Sequence, residues 1–197
     1  MNINHYRLKL SYILSALLLI AIASCKPTEF STPEIFENDV FTSLKGQAGG
    51  EADLFVRALE RTGISQDLTD RTRNFTVFAP TNQALISFLE GAGFTSIEEV
   101  PVEVLRPIIQ YHIVTESLRA ADFANNDYPT LLEGAKLPLS LGCDNEARVS
   151  LDFQVSAQVA TANGFIHRVG AVQVPIELEF QTVVNADAQL STFRQAL

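Results

Sequence analysis

Residues 74–85, Asn-Phe-Thr-Val-Phe-Ala-Pro-Thr-Asn-Gln-Ala-Leu, put an abrupt corner into the chain. Phe75, Thr76, Val77 and Phe78 are aromatic or β-branched and suit a pleated, buried strand. Pro80 has no N–H to give to a ladder, so the strand must end there. Thr81 or Asn82 then offers a side-chain oxygen to the bare N–H groups of a helix start. The amphipathic segment Ala84-Leu85-Ile86-Ser87-Phe88-Leu89 continues that helix until Gly91 and Gly93 stop it. The corner explains itself structurally and reads as a fold determinant rather than a working site.

The rest of the chain divides in texture. Leu54, Phe55, Ala58 and Leu59 have helical spacing closed by Thr62-Gly63, and Ile64 to Leu68 resembles a second short helix. A third helical region runs through "SIEEVPVEVLRPIIQYHIV", with Pro101 suited to its first turn and Pro107 starting a new turn or a kink. Past Thr115, "KLPLSL", "RVSLDFQV" and "FIHRVGAVQV" alternate apolar and polar residues with period two, as half-buried antiparallel strands do. Helices lead and strands follow, which predicts an α+β fold rather than a βαβ repeat. Asn163-Gly164 reads as a tight turn between strands that needs positive φ.

The two ends stand apart from this pattern. Residues 1–24 carry Arg7 and Lys9, no acidic residue, and an apolar core from Tyr12 to Ile22, the layout of a secretory signal peptide. That core is shorter than the roughly 20 residues needed to span a bilayer. Ile22-Ala23-Ser24-Cys25 resembles a bacterial lipobox, whose cysteine receives lipid and becomes the new N-terminus; the alternative is an ordinary signal with a chance cysteine. Lys26 after it lacks the acidic inner-membrane retention signal, which points to the outer membrane, on either its periplasmic or its cell-surface face. Residues 25–37 then form a tether rich in proline, threonine and acids. At the other end, "TFRQAL" (192–197) echoes "LFVRAL" (54–59), so residues 177–197 are either a C-terminal helix or the truncated start of a second copy of the domain.

Charge and reactive residues narrow the function. The chain carries a formal net charge of −9, and removing the signal takes away two cations and no anion. Nucleic acid is repelled by such a surface, and no Lys/Arg stripe offsets it. With Cys25 lipidated, Cys143 has no disulfide partner, and it reads as an inert thiol in a turn. His112 and His167 are the histidines left outside the signal, without metal-ligand spacing, although acids such as Asp122 or Asp144 could join them. No nucleophile elbow, phosphate-cradling glycine loop or Cys-His arrangement is present, and no pair of carboxylates stands out as a glycosidase pair.

"TVFAPTNQAL", "VLRPIIQYHIV" and "NGFIHRVGAVQVP", in that order and spacing, resemble a fasciclin (FAS1) domain over residues 38–176. Thr76, Phe78, Pro80, Thr81 and Asn82 match the first signature of the family, and Asn163, Gly164, Ile166 and His167 the second. Tyr111 and His112 match its Tyr-His pair. Two positions depart from the family pattern: Gln158-Val159 stands where Asp-Ile is frequent, and Gly170 where Asp is common, which speaks against an integrin-like mode.

The resemblance implies a compact wedge of antiparallel β-sheets with several helices packed alongside. It also implies adhesion or interaction at a cell surface, without catalysis or cofactor. Tyr111 and His112 are its candidate partner-binding residues; the other matched positions are structural. The partners expected are an envelope or extracellular protein or glycan, the membrane through lipid on Cys25, and further copies of the chain. A structural envelope component without a separable ligand is the alternative, and a glycan-cleaving enzyme a distant third.

Overall fold

Strand β1, Phe75–Pro80, is buried along its whole length and ends on the proline at the corner. In this computed structural model the described residues are 36–46, 50–150 and 153–176. The signal segment, Cys25, most of the tether and residues 177–197 lie outside them, as do the expectations placed there.

Among the described residues five α-helices pack around β1: α1 (Val40–Gly46), α2 (Asp53–Thr62), α3 (Ser65–Leu68), α4 (Asn82–Gly91) and α5 (Val102–Tyr111). Each follows from local pattern. In α2, Phe55, Val56, Ala58, Leu59 and Thr62 form one buried face, and the helix stops at Gly63, whose N–H bonds the Glu60 carbonyl. Helix α4 starts at the predicted cap, with Thr81 Oγ1 accepting from the Ala84 N–H at 3.2 Å. Pro101 is the residue before α5 rather than inside its first turn, and its carbonyl accepts from Val104 and Leu105. Pro107 lies within α5, which continues through it.

The other strands are β2 (Ile113–Val114), β3 (Asn126–Pro129), β4 (Lys136–Leu141), β5 (Ala147–Val149), β6 (Phe153–Thr161) and β7 (Gly164–Val169). Together with β1 they make a seven-stranded sheet in the order β2-β1-β7-β6-β5-β4-β3. The class is α+β, but the sheet is mixed. β1 and β7 run parallel, from Phe75 beside Gly164 to Pro80 beside Val169, whereas every other pair is antiparallel. Two strand expectations are corrected. "RVSLDFQV" is not continuous, because Ser150 turns the chain at φ 51° between β5 and β6. "FIHRVGAVQV" is strand only to Val169, after which the chain leaves the sheet.

The seam of β1 and β7 separates two apolar cores. Phe75, Val77, Ala79 and Ile166 point to one side and pack with Leu59, Leu85, Leu105 and Ile109 of the helices. Phe78 and Val169 point to the other side and pack with Phe123, Tyr128, Leu137 and Val149 under the β3–β5 ribbon. Side chains alternate across a strand, so neighbouring residues of one strand feed different cores.

Candidate functional site

The seam leaves several backbone groups without a regular partner, and a buried amide or carbonyl left unpaired costs about 1–3 kcal/mol. The signature side chains supply those partners. Thr76, fully buried on β1, donates from Oγ1 to the Glu116 carbonyl at 2.6 Å and accepts from the Leu118 N–H at 2.8 Å. His167 on β7 stands 2.8 Å from the Leu118 carbonyl through Nε2. Residues 116–118 are therefore clamped onto the sheet from two strands at once.

Asn82 works over a longer distance than its cap-like position suggests. Helix α2 begins after Ala52, which offers no side-chain cap. The amide oxygen of Asn82 takes that part, accepting from the Leu54 N–H at 3.0 Å, while its NH2 group donates to the Gly50 carbonyl. Thr81 thus caps its own helix, and Asn82 caps another.

Asn163 joins three segments at the turn between β6 and β7. Its oxygen accepts from the Val40 N–H at 2.8 Å at the start of α1, and its nitrogen donates to the carbonyls of Leu68 at 3.0 Å and Asp70 at 3.1 Å. Gly164 beside it has φ 146°, and an added Cβ would stand 1.7 Å from the Phe75 carbonyl oxygen. No other residue fits there without moving β1 from β7. Ile166 fills the helical core one strand position from His167.

The Tyr-His pair lies at the end of α5, and both side chains are buried, His112 completely and Tyr111 at 7% exposure. The Tyr111 hydroxyl donates to the Lys136 carbonyl at 3.1 Å, tying α5 to β4. His112 Nδ1 lies 2.8 Å from the Ile108 carbonyl and must carry its proton; Nε2 then accepts from the Gln173 N–H at 2.9 Å. Neither ring forms the open contact patch expected of a partner-binding pair; both link elements from within.

Both histidines are pushed toward the neutral form by the same cause. Burial pushes the pKa of His112 down to about 4 against the opposing bond to Ile108. Burial also lowers that of His167, whose ring stacks on Phe78 at 5.4 Å and meets Phe123 edge-on at 5.3 Å. Its Nδ1 is buried without a hydrogen-bond partner among the described residues.

The acids that could have joined them are engaged elsewhere. Asp122 pairs with Arg119, whose hydrogen bonds hold its carboxyl below the usual range, and Asp144 is lowered first by the Glu146 N–H and then by Arg148. Among the described residues no three His, Cys, Asp or Glu side chains converge in a way that could hold a metal. Cys143 is exposed in the β4–β5 turn. It borders an open groove of about 1000 Å³ on the outer face of the ribbon, lined in part by Asn126, Asp127, Ser140 and Arg148.

Sequence reasoning found these residues but not what they hold. Asn82 reaches a partner 28 positions away, His112 one 61 positions away, and Asn163 one 123 positions away. Gln173 gave no signal in the sequence, since its backbone N–H rather than its side chain matters.

Residues 50–175 match the Fasciclin domain family. The chain is similar to two proteins of the cyanobacterium Synechocystis sp. One is named Protein sll1483, 27% identical over 159 residues that cover 79% of this chain and 87% of that protein. The other is an uncharacterized protein, sll1735, 29% identical over 98 residues, which cover 50% of this chain and 71% of that one. Among solved structures, the FAS1 domain pair from the insect cell adhesion molecule Fasciclin I superposes with a TM-score of 0.58 at 12% identity, over 72% of this chain. This chain spans about half (52%) of that domain pair. With the family matched across most of its length and the same fold in its sheet and helices, the chain belongs to the fasciclin domain family.

Proposed function

We propose that this protein is a lipid-anchored envelope protein that acts in adhesion or protein interaction through exposed surfaces of its fasciclin domain, without catalysis. Membership of the family suggests the adhesive role. One observation supports contact through other surfaces: the signature side chains Thr76, Asn82, Asn163, His112 and His167 all bond backbone groups of their own chain. A motif used in that way builds a rigid scaffold, and contact with a partner then falls to surface loops and grooves. The ribbon groove beside Asp127 and Ser140 is one such surface. The anchor is Cys25, in a lipobox-like setting, with residues 26–37 as the spacer.

The test is made on the full chain expressed with its signal. Cys25→Ser should move the protein from the membrane fraction to the soluble envelope fraction. Beads coated with the lipid-free product should bind cells or envelope in a saturable way that excess soluble protein competes away. Clumping of the beads alone, with no saturable binding to envelope, would favour the structural reading. A measured turnover of envelope glycan would overturn the non-catalytic one.

A further inference from the structure

The two buried histidines hold backbone in opposite senses, and acid acts on them differently. His167 uses Nε2 as a donor to the Leu118 carbonyl, so a second proton on Nδ1 leaves that bond in place. His112 uses Nε2 as an acceptor for the Gln173 N–H. A proton at that nitrogen sets two donors against each other and removes the bond outright. The bond sits where the chain leaves the domain: β7 ends at Val169, and residues 171–175 run out past α5 outside any strand. Gln173 is 4% exposed and Val172 packs against the helical core, while Ile176 beyond them is 75% exposed.

We propose that His112 is an acid-released latch on the exit segment 171–175, so that protonation frees the chain leading out of the domain while the β1–β7 seam stays paired. The groups that face the ring are all uncharged. They are the Ile108 carbonyl on α5, the Phe55 ring on α2 at 5.8 Å, and the Gln173 amide of the exit segment; β1 meets its backbone through the Phe78 N–H. Among the described residues no acid stabilises the imidazolium in the closed state, so protonation and release go together. Once the segment lifts, the ring meets water and regains its ordinary basicity. Acid therefore selects the open form of segment 171–175.

The experiment is amide hydrogen exchange on the full chain, corrected for intrinsic rates, between pH 7.5 and about 4.5, combined with 15N NMR of the His112 ring. Opening at Gln173 should rise about tenfold for each pH unit below about 6.5. The amides of β1 and β7 should stay protected over the range in which Gln173 opens. Gln173→Pro removes the donor without touching the histidine, and the His112 ring should then titrate near its ordinary value of about 6.5 in 15N NMR. Two results would overturn the latch. One is protection at Gln173 that persists while the ring titrates. The other is release of residues 171–175 and β1 together at a single midpoint, which would be unfolding of the whole domain. The ring and amide titrations need no variant, so a Gln173→Pro chain that fails to fold still leaves the proposal decided.

Discussion

The β1–β7 seam and the β3–β4–β5 ribbon belong to one sheet but are held by different means. In the ribbon, neighbouring strands pair in continuous antiparallel register, Asn126 with Leu139 through to Pro129 with Lys136, and Leu139 with Val149 through to Leu141 with Ala147. Regular pairing carries the ribbon, with the Tyr111 hydroxyl and the Asn125 side chain adding single bonds to Lys136 and Leu141, and no signature residue lies within it. At the seam, strands 89 residues apart run parallel, and helix starts, a tight turn and an exit segment converge on them. Those irregular segments have no ladder, and side chains must complete their hydrogen bonds. A recognisable motif marks where regular structure runs out of partners.

Substitutions separate the two regions, beginning at the seam. Gly164→Ala should cost about 4 kcal/mol or more and often prevent folding, because its Cβ overlaps the Phe75 carbonyl oxygen. Gly134→Ala beside the ribbon, with φ 79° and nothing within 4 Å of an added Cβ, should cost only about 1 kcal/mol. Equal losses in urea denaturation would erase the distinction.

Asn163→Ala comes next, at about 3 kcal/mol, since it strands the Val40 amide together with the Leu68 and Asp70 carbonyls. Thr76→Val, nearly the same shape, should cost about 2 kcal/mol by orphaning the Leu118 N–H and the Glu116 carbonyl. A Thr76→Val chain as stable as the parent would show that the clamp on residues 116–118 is dispensable.

The pH dependence should also belong to the seam. His112 and His167 both have folded pKa values below the ordinary one, so the unfolded chain binds more protons once pH falls beneath about 6.5. Their contribution is fully present above that pH and is lost as pH falls toward about 4 for His112. The slope is about 1.4 kcal/mol per pH unit for each histidine over its window. In the ribbon, Asp144 is lowered from 3.8, so what it adds persists until the pH drops below that value. Stability measured by chemical denaturation between pH 7.5 and 4.5 should therefore decline, and a flat profile would mean that the rings are not buried as described. Smallest of all, Arg148→Gln at the ribbon hairpin should change stability by less than about 1 kcal/mol, because its partners Asp144 and Glu146 are solvent-exposed.

Local features were legible in the sequence and distant ones were not. The strand end at Pro80, the Thr81 cap and the stop at Gly63 are set by neighbouring residues and could be read directly. The break at Ser150 could not, because serine at φ 51° carries no composition signal and the period-two pattern runs across it. Parallel pairing of β1 with β7 was hidden for another reason: both strands are apolar enough to be central, and nothing in either specifies direction. Tyr111 and His112 were recognised as a pair, yet sequence alone does not say whether a tyrosine's polar tip meets solvent or, as here, a carbonyl of another strand.

Adhesion by variants of the buried pair tests the central claim, that the motif residues hold the scaffold while other surfaces make contact. Tyr111→Phe removes the hydroxyl that reaches Lys136 and keeps the ring. Beads coated with this variant, checked for native folding by circular dichroism, would be compared with parent beads for saturable binding to cells. Binding should be unchanged per folded molecule, with a modest loss of stability. A variant that folds as the parent does but no longer binds would contradict it, and would place the partner on the Tyr-His pair itself.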